Sequence, residues 1–148
     1  MAKLTLSLGS NEGAREQLLE RAVKRLATAL GPVVYRSPVL ETPPWGGIPQ
    51  PAFLNQVVVI ATPVPLRGPG IPAELHRILT ITQGIEAELG RVRTLRWGAR
   101  TLDIDLIFAD DLRYEDARIS LPHPWWAHRS FVTDLLPPPP EWQPPYSR

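Results

Sequence analysis

Thr101-Leu102-Asp103-Ile104-Asp105-Leu106-Ile107-Phe108 alternates apolar and polar side chains as far as Leu106. Such alternation marks a half-buried strand, with Leu102, Ile104 and Leu106 on one face and Asp103 and Asp105 on the other. Working back toward the N-terminus, a basic loop precedes this strand, and before it Leu75, Ile78, Leu79, Ile85 and Leu89 recur at helical spacing. Pro72 suits the first turn of that helix and Gly90 its end. Residues 53–62 read as a strand whose Val57-Val58-Val59-Ile60 run predicts burial on both faces. Residues 33–40 read as one further strand, residues 14–30 as a helix stopped by Gly31-Pro32, and residues 3–8 as a first strand with Leu4, Leu6 and Leu8 on one face. The order β-α-β-β-α-β predicts an α+β fold, a ferredoxin-like βαββαβ sandwich with a mostly antiparallel sheet and its helices packed on one face.

The rest of the chain is punctuation. Residues 41–51 contain Thr42-Pro43-Pro44-Trp45-Gly46-Gly47 and predict irregular backbone. Asp110-Asp111 turns the chain, a helical turn is expected over residues 124–129, and prolines 137–140, 144 and 145 predict a stiff, extended tail. One domain over residues 1–136 and a proline-rich tail over 137–148 are therefore expected.

Composition excludes several classes. With 148 residues and 43% hydrophobic content the chain can bury a core. It has no cysteine, which rules out disulfides and thiolate metal sites and points any metal toward oxygen ligands, magnesium or manganese. A net charge of +1 does not indicate a general nucleic-acid binder, and no apolar run is long enough for a membrane helix. The N-terminus lacks the apolar core of a secretory signal, so a cytoplasmic location is expected.

Charge placement says more. Asp103 and Asp105 lie about 6.5–7 Å apart on one strand face. An ordinary solvated face accounts for the pair taken alone. Yet Gly90-Arg91-Val92-Arg93-Thr94-Leu95-Arg96-Trp97-Gly98-Ala99-Arg100 runs directly into it, with four arginines and no acid. Clustered guanidinium groups call for an anion, and their planar forks grip phosphate oxygens in pairs. A divalent cation on the acids and a polyphosphate on the arginines satisfy both charge sets, which is the electrostatic logic of phosphoryl transfer. Trp45, Phe53, Trp97 and Phe131 could stack on a flat heterocycle, and Asn55 could offer it a donor and an acceptor. His123 is more often structural in such a segment, though beside phosphate it could donate a hydrogen bond. His76 reads as a surface residue.

Together these segments resemble the 6-hydroxymethyl-7,8-dihydropterin pyrophosphokinase family. The matching pieces are Gly9-Ser10-Asn11, Arg36, Thr42-Pro43-Pro44, Phe53-Leu54-Asn55, Glu86, Gly90-Arg91-Val92-Arg93, Arg96-Trp97-Gly98, Arg100-Thr101-Leu102-Asp103-Ile104-Asp105, Pro122-His123 and Arg129-Ser130-Phe131. Ala99 stands where the family is expected to carry proline, and Pro124 where an aromatic is common. The resemblance implies transfer of the β,γ-pyrophosphoryl group of ATP to the hydroxymethyl group of the dihydropterin, with release of AMP, in folate biosynthesis. It implies two Mg²⁺ on Asp103 and Asp105. It places Arg91, Arg93 and Arg100 with those acids in the catalytic set, and Glu86, Arg91, Arg96, Trp97, Arg100, His123 and Arg129 at ATP. Thr42, Pro43, Trp45, Phe53, Asn55, Trp97 and Phe131 would form the pterin pocket. The partners implied are these two small molecules, acting on a monomer with no nucleic-acid or membrane partner. Two other readings stay open on the residues alone. One is a palm-type nucleotidyl transferase; the other is a non-catalytic RNA- or ligand-binding domain of the same fold.

Overall fold

The computed structural model describes residues 1–11, 13–43, 51–89 and 102–137. Its main sheet has five strands: β1 (Ala2–Ser10), β2 (Val33–Arg36), β3 (Leu40–Thr42), β4 (Phe53–Thr62) and β5 (Asp103–Ala109). The order is β2-β4-β1-β5, with β3 also paired to β4, and every pairing in it is antiparallel. Helices α1 (Arg15–Leu30) and α2 (Ile71–Glu88) supply the two crossovers. This is the predicted βαββαβ sandwich.

The core lies between sheet and helices. Leu4, Leu6 and Leu8 of β1 meet Leu19, Val23, Leu26 and Leu30 of α1 and Leu75, Ile78 and Ile85 of α2. Each such side chain contributes about 1.5–3 kcal/mol by leaving water, so the two helical stripes hold the layers together. The run Val57-Val58-Val59-Ile60 is buried on both faces, as its composition predicts. Among the described residues no helix is long and apolar enough to cross a membrane.

Residues 33–40 do not form one strand; the edge breaks after Arg36. Pro38 has no N–H to give the ladder, and Ser37 bridges the gap. The Ser37 N–H donates to Val57 O at 2.9 Å, its hydroxyl accepts the Val57 N–H at 2.9 Å, and its carbonyl accepts the Gln56 side-chain amide at 2.8 Å.

Strand β5 also carries an irregularity. Leu6 pairs with Leu106 but Thr5 pairs with Phe108, so Ile107 is an extra residue. The bulge reverses the alternation. Asp103, Asp105 and Phe108 share the face away from the helices, with Ile104, Leu106 and Ala109 on the helix side. The Ile107 carbonyl accepts the His123 N–H at 2.9 Å, which docks the C-terminal segment on this strand. That segment follows a small hairpin, β6 (Tyr114–Glu115) with β7 (Ser120–Leu121), and includes the short helix α3 (Ser130–Thr133). Trp126 packs edge-on against Phe108, centroids 4.9 Å apart, and Val132 joins them. A second, smaller core thus closes one end of the outer sheet face and leaves the other end open.

Candidate functional site

The open end of that face is floored by small residues. Ser7 pairs across the sheet with Asp105 and Val57, and Gly9 with Asp103 and Asn55. A cleft of about 690 Å³ stands above them, within the range of small-molecule sites. Thr42 and Pro43 wall it from β3, Phe53 and Asn55 from β4, Asp103 and Asp105 from β5, and residues 128–131 from the C-terminal segment. Ser7 and His128 were given no site role from the sequence, and Gly9 and Ser130 appeared there only inside the motifs Gly9-Ser10-Asn11 and Arg129-Ser130-Phe131. The signal for Ser7 and Gly9 as a floor was present, because the face opposite Leu4, Leu6 and Leu8 is small and polar.

One side of the cleft is charged. Arg129 Nη1 lies 3.7 Å from Asp105 Oδ2, and its guanidinium sits 5.6 Å from the centre of the Phe131 ring. A long pair between partly exposed groups contributes about 0–1 kcal/mol, so a phosphate or a cation can replace either partner at small cost. Asp103 and Asp105, partly exposed and on one strand face, make a donor set suited to magnesium. That ion binds one or two carboxylates and fills its other positions with water and substrate phosphate. Among the described residues no cluster of three metal-type ligands adds a closed cage.

The other side is aromatic and nearly neutral, with Phe53, Pro43 and Phe131 around Asn55. The structure corrects the role expected of Asn55. Its Nδ2 donates to Leu40 O at 3.1 Å and to Thr42 Oγ1 at 2.8 Å. Both N–H bonds are spent on β3, and the amide oxygen remains as an acceptor. A Cβ at position 9 would stand 3.5 Å from that oxygen, so Gly9 leaves no side chain against it.

Two expected nucleotide residues are not among those lining the cleft. Glu86 is buried on α2, and its Oε2 accepts the Ile104 N–H at 2.8 Å. It therefore holds the backbone between Asp103 and Asp105. His123 accepts the Trp125 N–H on Nδ1 at 3.2 Å, which puts the proton of the neutral ring on Nε2. Its pKa lies below the usual histidine value, first because the ring is buried and then because Arg129 is near; Asp105 pulls the other way. Trp45, Arg91, Arg93, Arg96, Trp97 and Arg100 fall outside the described residues.

A smaller cavity of about 120 Å³ shares Asp105 with the main cleft. Leu75 and Leu79 of α2, Ile104 and Leu106 of β5, and Arg118, Ile119 and Ser120 line it. None of the last three was flagged, because nothing in local sequence shows that the hairpin folds against α2.

Three comparisons bear on this geometry. The sequence profile of the family described as 7,8-dihydro-6-hydroxymethylpterin-pyrophosphokinase (HPPK) matches residues 5–137. A Methylorubrum extorquens protein named 2-amino-4-hydroxy-6-hydroxymethyldihydropteridine pyrophosphokinase is 41% identical over 133 residues, covering 89% of this chain and 78% of that one. The Bacillus subtilis protein of the same name is 40% identical over 128 residues, covering 86% and 71%. Among solved structures, Plasmodium falciparum HPPK-DHPS with pteroate matches with a TM-score of 0.62 at 16% identity, covering 90% of this chain. At that identity the likeness speaks for the fold alone, and the chain spans 38% of that structure's length.

Proposed function

Because this chain belongs to the 7,8-dihydro-6-hydroxymethylpterin-pyrophosphokinase family, we propose that its outer-face cleft is where the pterin meets the phosphates of ATP. The enzyme transfers pyrophosphate from ATP to the hydroxymethyl group of 6-hydroxymethyl-7,8-dihydropterin, a step of folate biosynthesis. One observation carries the placement: a single cleft joins two carboxylates and an arginine to an aromatic patch that includes the Asn55 amide.

The pterin lies between Phe53 and Phe131, where flat apolar surface favours a ring system. The Asn55 oxygen accepts one of its ring N–H groups. Its hydroxymethyl group then points along the floor toward Asp103 and Asp105. The purine enters the smaller cavity, whose apolar walls meet the main cleft at Asp105. The hydroxyl oxygen attacks the β-phosphorus in line, the bond from that phosphorus to the α,β-bridging oxygen breaks, and AMP leaves. Arg129 neutralises phosphate charge, and the His123 Nε2–H donates to a phosphate oxygen. Asp103 and Asp105 would hold two magnesium ions, which would supply charge neutralisation and polarise the phosphates. The arginines of residues 91–100 complete the phosphate grip. Positioning on the floor of Ser7 and Gly9 and charge stabilisation by the walls around it supply the rate. A monomer acting in the cytoplasm, without nucleic-acid partners, completes this reading.

Asp105→Ala tests it. AMP formation, followed by phosphorus NMR, falls by about 10²–10³-fold or more, with the thermal midpoint preserved because Asp105 is partly exposed and its ion pair is weak. Turnover near that of the natural chain would remove the acid pair from the mechanism.

A further inference from the structure

The β6–β7 hairpin walls the smaller cavity, yet its ladder has only two pairs, Tyr114 with Leu121 and Glu115 with Ser120. So short a ladder does not hold an element in place by itself. The Asp116 carboxylate supplies what the ladder lacks. Its Oδ1 accepts the N–H groups of Arg118 and Ile119, both at 2.8 Å. Its Oδ2 accepts the Tyr114 hydroxyl at 2.6 Å and meets His76 Nε2 at 2.7 Å. The turn is closed again by Asp116 N–H to Ile119 O at 2.9 Å. These bonds hold the Asp116 carboxyl well below the usual carboxylate range, the Tyr114 hydroxyl most of all, followed by the Arg118 N–H and the His76 ring.

Three of the carboxylate's four bonds shape the hairpin internally. The fourth leaves it. His76 is on α2, next to Leu75, and Leu75 and Leu79 form the cavity wall opposite Ile119 and Ser120. The Asp116–His76 bond therefore ties one wall to the other. Arg118 Nη2 to Gln83 Oε1, at 3.3 Å, adds a longer tie about two turns further along the same helix.

We infer that His76 and Asp116 are positioning residues for the nucleotide: they set the width of the slot between α2 and the β6–β7 hairpin. The inference rests on the purine occupying that slot. Width matters because dispersion falls steeply with separation; a radial gap of about 0.5–1 Å already forfeits about a quarter to a half of each contact. A flat base held between two walls loses contacts on both faces when the tie is cut. The pterin side of the main cleft, formed by Thr42, Pro43, Phe53, Asn55 and Phe131, shares no lining residue with the slot, so loss of the tie separates the two substrates.

The test compares His76→Leu, His76→Gln and Tyr114→Phe in the full-length enzyme, with steady-state kinetics in each substrate and calorimetric titration of a non-hydrolysable ATP analogue with Mg²⁺. His76→Leu raises the KM for ATP and the analogue's Kd by about tenfold, the worth of one charge-assisted hydrogen bond. The KM for the pterin and kcat stay within about twofold of the natural values. His76→Gln, whose amide N–H can reach the carboxylate, recovers most of the loss. Tyr114→Phe, which leaves the tie in place, changes ATP binding little. If His76→Leu lowers only the melting temperature, or raises both KM values together, the residue is a structural brace and the inference is overturned. Leu79→Trp, with Ser120→Tyr as a second filler, separates this from failure of the purine placement. Fillers that leave ATP binding unchanged overturn both, whereas fillers that block ATP while His76→Leu does not overturn the tie alone.

Discussion

Asn55 shows how much one side chain's role depends on its neighbours. Its residue type predicted a two-sided hydrogen-bonding group; its place beside β3 commits both donors to Leu40 and Thr42. Asn55→Asp removes both donors and sets a negative charge against the Leu40 carbonyl. The KM for the pterin rises by about tenfold or more, at about 1–3 kcal/mol per orphaned buried group, while the affinity for the ATP analogue changes little; kinetics with the pterin varied measure it. His123 gives a pH dependence of stability. Its folded-state pKa lies below the ordinary 6.5, so the unfolded chain takes up the proton first. Stability then declines as pH falls from about 6.5 toward the folded value. In His123→Gln that part of the curve of melting temperature against pH is flatter; an unchanged curve would remove His123 as its source.

At the scale of elements, the helices and central strands followed from periodicity because burial and period coincide there. The edges did not. Pro38 was visible inside residues 33–40, but the Ser37 side chain that stands in for the lost ladder bond is seen only once Val57 is opposite it. The bulge at Ile107 was invisible for the same reason: Ile107 and Phe108 are both apolar, so nothing local marks the phase change. Gly31 shows the opposite case, a turn residue legible in sequence whose necessity is tertiary. Its φ is +141° and a Cβ there would stand 2.3 Å from Ala61 O. Gly31→Ala destabilises the fold by about 2–3 kcal/mol, combining backbone strain with a clash against β4; urea unfolding measures the loss, and a cost under about 0.5 kcal/mol would show that the turn relaxes freely.

At the scale of the molecule, family membership closes the two alternatives that the residues left open. A palm-type transferase would release pyrophosphate, and a non-catalytic domain would leave Asp103 and Asp105 without a chemical task. The pair sits on an open strand face, without a third metal-type ligand grouped with it among the described residues. On the proposed reading, metal would bind chiefly with the nucleotide. Chelation with EDTA abolishes turnover yet shifts the melting temperature of the substrate-free enzyme by no more than about 1 °C. ATP analogue and Mg²⁺ together raise it, by the mass action of a ligand that binds only the folded state. A large loss of stability on chelation alone would mean a resident structural ion.

The amino-acid sequence by itself determined the order of elements, the α+β architecture, the acid pair on one strand face and the family, because period, turn residues and short motifs are local properties of a chain. Only the tertiary structure decided that Ser7 and Gly9 floor the cleft, that Glu86 holds β5 from behind, that Asn55 presents an acceptor alone, and that Asp116 ties a hairpin to α2. Each of these depends on which distant groups already occupy a donor or an acceptor, and that is settled when the strands and helices pack.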